Sequence, residues 1–203
     1  ISIPEKDILS LLKPIIEDEN KTIVGYDLKS QLKVLSKRNV KPNATLFDVG
    51  VAHYLLHPDM RHDLDILSGN HLSMDIKTKK DLLGKGKSKK EVAEIETKQL
   101  ANFFNQQTDV IFQLQEIFQK KLEKIKLQDL FKEIEMPLTK VLANMEIQGV
   151  RIDEKKLSDY AIVLTEQIDS ISEKIHQLSE KEFNISSPKQ LGEVLFEKMG
   201  LSK

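Results

Sequence analysis

The sequence contains no cysteine, so neither disulfides nor thiolate metal sites are open to it, and a cytoplasmic protein is the expectation. It has no tryptophan, and aromatic residues make up only 5% of its 203 positions. Its charges nearly cancel, at −1 overall, so no whole-chain field draws it to nucleic acid. No apolar run approaches the ~18 residues of a membrane span, and no membrane partner is expected. The opening residues, Ile1-Ser2-Ile3-Pro4, lack Met and any signal-peptide anatomy, and the chain reads as a fragment of something longer. Gly-x-Ser-x-Gly is absent, which argues against a serine hydrolase. The histidines are His53, His57, His62, His71 and His176. None belongs to a His-Glu-x-x-His motif and none has a Cys companion, so surface or helix-end histidines are expected and no metal site is assigned.

What is present is charge and helical periodicity. Charged residues supply 31% of the chain and apolar residues 39%. Leu157, Ala161, Leu164, Ile168, Ile171, Ile175 and Leu178 follow steps of four and three without an error. That heptad seam predicts an arm helix roughly 35 Å long that wants one partner helix. Beyond it, Ser187-Pro188-Lys189-Gln190 reads as a capping box with Pro at the first helical position, opening a helix that stops at Gly200.

The upstream part alternates helices with two short strands. Helices are expected at 5–17, with a kink or break at Pro14, and from Asp27 to about Lys37. Strands are expected at 22–25 and 44–47. Asp48 caps a further helix, and His62 to Leu67 forms another, ended by Gly69. This pattern predicts a helix-rich α/β domain with a mostly parallel sheet whose first strands lie upstream of Ile1. Lys77, Lys79, Lys80, Lys85, Lys87, Lys89 and Lys90 crowd a Gly-containing stretch. It is either a solvated mobile loop or a phosphate-binding loop, but not a Walker loop. A long helix over 91–122 follows, with a polar interruption at Gln106-Gln107-Thr108. Leu127 to Gln148 is mostly helix, broken near Pro137, with Ile134, Leu138, Val141, Leu142 and Met145 facing inward. Gly149 ends it, and Asp153 caps the arm.

Glu133-Ile134-Glu135-Met136-Pro137-Leu138, Leu142-Ala143-Asn144-Met145-Glu146 and Gly149-Val150-Arg151-Ile152-Asp153 resemble the start of the polymerase domain in family A DNA polymerases. So does Glu182-Phe183-Asn184-Ile185-Ser186-Ser187-Pro188-Lys189-Gln190-Leu191-Gly192 with Leu195-Phe196. Upstream, Leu28-Lys29, Phe47-Asp48, Tyr54-Leu55-Leu56, Gly84-Lys85-Gly86-Lys87 and Asp109-Val110 resemble, more patchily, the family's proofreading-exonuclease domain. The resemblance implies a ribonuclease-H-like domain over 1–126, lacking its first strands. It implies the start of the polymerase domain over 127–203, where the arm becomes the thumb. The implied parent is a monomeric DNA-directed DNA polymerase of replication and repair that works with magnesium on duplex primer-template DNA. The carboxylates that bind that magnesium would lie further on, so the fragment alone should not polymerise.

The family's exonuclease holds two metal ions with carboxylates. One carboxylate closes the motif Asn-Leu-Lys-x-Asp, which here ends in Gln31; Asp27 is a decoy out of register. The motif Tyr-x-x-x-Asp falls at Phe103 and Gln107. Two carboxylates have become amides and a phenol has lost its hydroxyl, which predicts a vestigial exonuclease that holds no metal. At the thumb tip, Asn184, Ser186, Ser187, Lys189 and Gln190 are the residues expected to meet DNA phosphates, unless they only terminate two helices. An active proofreading nuclease and a non-enzymatic helical module that dimerises through the seam remain alternatives.

Overall fold

The computed structural model describes residues 3–86 and 89–201; Lys87 of the lysine stretch lies outside them. The chain divides into two compact units, Ile1–Gly149 and Val150–Lys203. Among the described residues, no helix is long and apolar enough to cross a membrane.

The first unit is built on two parallel strands. β1 (Thr22–Gly25) pairs with β2 (Thr45–Asp48) in register from Thr22↔Thr45 to Gly25↔Asp48. Helix α1 (Glu5–Ile16) precedes them, and α2 (Leu28–Ser36) crosses between them. Gly25 is required at the end of β1, because a Cβ there would run into the Leu28 side chain where α2 turns back. Pro14 does not break α1, which runs through to Ile16. After β2 come α3 (Val49–Leu56), α4 (Leu64–Leu72) and α5 (Lys79–Leu83). Gly69 does not end α4; a left-handed Ser73 does, four residues beyond the expected stop.

Helix α6 (Thr97–Lys124) is the spine of the unit. It buries Phe103, Val110, Leu114, Phe118 and Leu122 along one side. It starts later than expected because 92–94 form a separate 3₁₀ turn, with Glu94 accepting the Glu91 N–H. The polar triplet at 106–108 does not interrupt it. Gln106 and Gln107 donate from its surface to the Asp75 and Lys77 carbonyls, and Thr108 bonds back to the Phe104 carbonyl.

Helix α7 (Met136–Gln148) corrects an expectation. It buries Met136, Thr139 and Ala143, while Ile134, Leu138, Val141, Leu142 and Met145 are exposed. The reason lies just upstream, where 130–135 form a π-helical turn. One extra residue per turn re-phases every side chain that follows. Pro137 follows this π-helical turn, and the helical run continues through it without the expected break. The buried face, with small Thr139 and Ala143, packs α7 against α2. Glu146 fixes that contact, accepting from Lys29 at 2.6 Å and Lys33 at 2.5 Å. These lysines pull its carboxyl down to about 2. Lys140 adds a bond to the Pro42 carbonyl at 3.3 Å.

In the second unit, Asp153 caps α8 (Glu154–Ser179) by accepting the Lys156 N–H at 3.1 Å. Only Ser179 of α8 is buried. Leu157, Leu164, Ile168, Ile171 and Leu178 of the seam are all exposed. A left-handed Glu180 ends the helix, and α9 (Pro188–Gly192) runs into a π-helical turn over 193–198. Gly200 then takes a left-handed φ of 65°, two residues after the helical stretch ends.

Candidate nucleic-acid interface and exonuclease-like positions

The end of α8 is held by side chains that reach back to it. Lys198 donates to the Ser179 carbonyl at 2.6 Å and the Glu180 carbonyl at 2.9 Å, supplying a cation to a helix C-terminus. His176 bonds the Phe183 carbonyl at 3.0 Å, and their rings meet edge to face at 5.6 Å. Val194 is buried. The 184–190 segment is fixed on this base. Ser187 Oγ accepts the Gln190 N–H at 3.4 Å, one half of the expected capping box. The other half differs. Gln190 Oε1 accepts from Asn184 N at 2.8 Å, because the Ser187 N–H is already bonded to the Asn184 carbonyl. Asn184 Oδ1 accepts the Ser186 N–H at 3.0 Å. Asn184, Ser187 and Gln190 thus shape the turn, and Lys189 and Ser186 are exposed on it. Lys198, whose two backbone bonds seat the segment, carried no motif; only its place near a helix end could have suggested it.

In the first unit, Gln31, Phe103 and Gln107 each have a structural role. Gln31 Nε2 donates to the Tyr26 carbonyl at 3.0 Å, and Gln107 Nε2 donates to the Lys77 carbonyl at 3.0 Å. A carboxylate has no proton with which to make either bond. Phe103 is buried, its ring edge-on to Phe104 at 5.3 Å. Asp27, the out-of-register decoy, has a left-handed φ of 54° and accepts the Ser30 N–H as the cap of α2. Asp48 caps α3 through Gly50 and Val51 and also accepts the Leu28 N–H at 2.7 Å. Burial raises its carboxyl above the usual range, against the pull of those three N–H groups. Among the described residues, no group of three or more His, Asp or Glu side chains is placed to hold a metal ion.

Two features were not read from the sequence. The first is a cleft of about 440 Å³ at the carboxyl ends of β1 and β2, between α3 and α7. Tyr26, Asp27, Tyr54, Glu135, Leu138 and Leu142 contribute to its wall. Neither Gln31 nor Gln107 does. The second is a histidine cluster: His53, His57, His71 and His176 do lie at helix ends as expected, but His53 is buried rather than on the surface. His53 is fully buried, and the rings of His57, His62 and His71 lie 5.0–5.3 Å from it. His53 Nδ1 meets His62 Nδ1 at 2.7 Å, and Phe118 packs at 5.5 Å. The Nε2 atoms of His53 and His71 are buried and have no hydrogen-bond partner among the described residues. Burial and the neighbouring imidazoles push His53 down to about 4. The four residues come from a helix, its C-cap, a loop and the next helix, so only the helix spacing of His53 and His57 hinted at proximity.

Residues 4–114 match the family model described as DNA polymerase I, ribonuclease H-like domain, and residues 154–203 match that of DNA polymerase family A. A DNA polymerase I of Geobacillus stearothermophilus is 34% identical over 185 residues, covering 91% of this chain and 21% of that protein. One from Pseudomonas aeruginosa is 32% identical over 198 residues, covering 96% of this chain and 22% of that protein. The chain therefore spans about a fifth of the length of these curated relatives. Among solved structures, the POL domain of Pol1 from M. smegmatis, in complex with DNA primer-template and dNTP, matches with a TM-score of 0.76. It is 22% identical and covers 100% of this chain and 32% of that one, a likeness of fold. With the first model spanning more than half its length, the chain belongs to the DNA polymerase I family, running from the ribonuclease H-like domain into the family A polymerase region.

Proposed function

We propose that the chain is part of a DNA-directed DNA polymerase of replication and repair, in which residues 1–126 are an inactive exonuclease-like scaffold. Residues 127–203 begin the polymerase domain, and the arm is a thumb that grips duplex DNA by its phosphates. The observation that supports the scaffold reading is that Gln31 and Gln107 each donate to a backbone carbonyl. Gln31, Phe103 and Gln107 offer a hard divalent cation no carboxylate, and magnesium serves the parent polymerase elsewhere. The scaffold has a load to carry, since α7 is packed on α2 and tied to it by Glu146. The test is to supply the complete parent with magnesium or manganese and a mismatched primer end. No release of 3′-terminal nucleotides is expected; release that an Asp27→Asn change abolishes would overturn the reading.

The grip rests on the 184–190 turn, where internal bonds leave Lys189 and Ser186 exposed for backbone contacts that carry no sequence information. Lys189→Ala in the parent polymerase is expected to weaken binding similarly across DNA sequences. It should also lower the slope of log K against log salt by about 1, the loss of one phosphate contact. Filter-binding or anisotropy titrations at several salt concentrations measure this, and an unchanged slope counts against the assignment.

A further inference from the structure

The 184–190 turn is shaped by bonds that stay inside it. Asn184 accepts from the Ser186 and Ser187 N–H groups, Gln190 Oε1 accepts from Asn184 N, and Ser187 Oγ accepts from Gln190 N. These bonds set its shape and leave open how it is seated on the end of α8. The seat is fixed at two places. Where the chain leaves α8, His176 Nε2 donates to the Phe183 carbonyl at 3.0 Å. Where it returns, Lys198 closes the excursion by donating to the Ser179 and Glu180 carbonyls, 19 and 18 residues earlier. Among the described residues, both hydrogen bonds from this returning stretch to the end of α8 come from Lys198.

The acceptors that Lys198 meets are well fixed. Ser179 is 4% exposed, and its hydroxyl shares its proton between the His176 and Lys181 carbonyls. Glu180, with a left-handed φ of 47°, turns the chain off the helix axis. The Ser179 and Glu180 carbonyls belong to the helix end, where no N–H of the helix remains to bond them. An ammonium supplies donors and positive charge there at once. With Nζ drawn to two carbonyls at 2.6 and 2.9 Å, Lys198 acts on the fold, whereas Lys189 stays exposed on the turn.

We propose that Lys198 is a positioning residue for the DNA grip: it contacts no phosphate, and it holds the 184–190 turn in the pose that presents Lys189 and Ser186 together. This rests on the reading of that turn as the grip. A turn held in place beforehand binds more tightly, because its ordering is not paid at the moment of association. The two lysines therefore act through different quantities. Lys189 releases a counterion and sets the salt dependence, while Lys198 raises affinity and leaves the salt dependence alone.

The test uses the complete parent protein carrying Lys198→Met, which keeps the length of the side chain and removes its charge and donors. A fluorescent primer-template duplex is titrated by anisotropy at several salt concentrations. Binding about tenfold weaker at every salt concentration is expected, with an unchanged slope of log K against log salt. Lys198→Arg, which keeps the charge and can bond both carbonyls, should restore most of the affinity. Amide hydrogen exchange, read by mass spectrometry without DNA, should show residues 181–190 losing protection in Lys198→Met while α2 and α7 keep theirs. A slope that falls by about 1 overturns the proposal, since Lys198 would then be a phosphate contact. Unchanged protection of 181–190 overturns it too, as does an arginine variant that binds no better than the methionine one. Lost protection with unchanged affinity fails the reading of the turn as the grip, and the proposal falls with it.

Discussion

Replacing Phe131 with Ala should destabilise the chain by about 3–5 kcal/mol, the usual cost of emptying a buried aromatic site. Phe131 is 1% exposed, and its ring lies 4.8 Å from that of Phe47, tilted by 53°. Phe47 belongs to β2, while Phe131 belongs to the π-helical turn that leads into α7. The pair therefore joins the sheet to the helix from which the downstream region departs. Close aromatic pairs contribute roughly 0.5–1.5 kcal/mol beyond their buried area, so Phe47→Leu and Phe131→Ala should be non-additive by about that much. Phe104→Ala is the control, because Phe104 is 53% exposed and its loss should cost under about 1 kcal/mol. Urea unfolding of the three single variants and the pair measures all of this. A Phe131→Ala midpoint close to that of Phe104→Ala would show that the sheet does not anchor α7.

The same region shows where sequence reasoning reached and where it stopped. Asp48, Asp153 and Ser187 were legible as caps, because a short acceptor before an apolar-periodic run satisfies N–H groups whatever lies around it. The parallel strands were legible from β-branched runs bounded by turn residues. The inward face of α7 was not. Its periodicity favoured Leu138 and Leu142 and passed over Thr139 and Ala143, since size stands in for burial when no partner is visible. The π-helical turn that re-phases the helix leaves no compositional mark, because it is a matter of one backbone register. The tip segment was half legible. Ser187 capped as expected, but Gln190 turned to Asn184 once the turn had used the Ser187 N–H. A local motif predicts which groups want partners, and the surrounding chain decides which partners are left. Gln31 and Gln107 illustrate this from the other side: an amide side chain can donate or accept, and only the fold shows that they donate to the Tyr26 and Lys77 carbonyls.

The histidine cluster carries the largest expected response to solution conditions. His53 sits at about 4 in the folded chain, against an ordinary value of 6.5. The cause is first its burial and then the imidazoles of His62, His71 and His57, with the Lys121 amine behind them. His71 is lowered too, by burial, Lys121 and His57. A histidine held down in this way binds its proton first in the unfolded chain. Stability is therefore complete above the ordinary value and is lost as the pH falls from about 6.5 towards 4. The gap corresponds to about 3 kcal/mol from His53 alone, at 1.36 kcal/mol per pH unit. Glu146 acts lower, since its carboxyl is pulled to about 2 by Lys29 and Lys33 and its contribution fades only below the ordinary 4.5. Asp48, raised by burial, opposes Glu146 in that lower range because its protonation favours the fold. The window between 6.5 and 4.5 thus belongs mainly to the histidines. Urea midpoints of the 203-residue chain at pH 7.5, 6.5, 5.5 and 4.5 (assay conditions chosen at about one-unit steps) should fall steadily. In His53→Leu, which fills the buried site without an ionisable group, the same series should be much flatter. A wild-type midpoint that holds constant down to the carboxylate range would show that the buried imidazole is not what acid attacks.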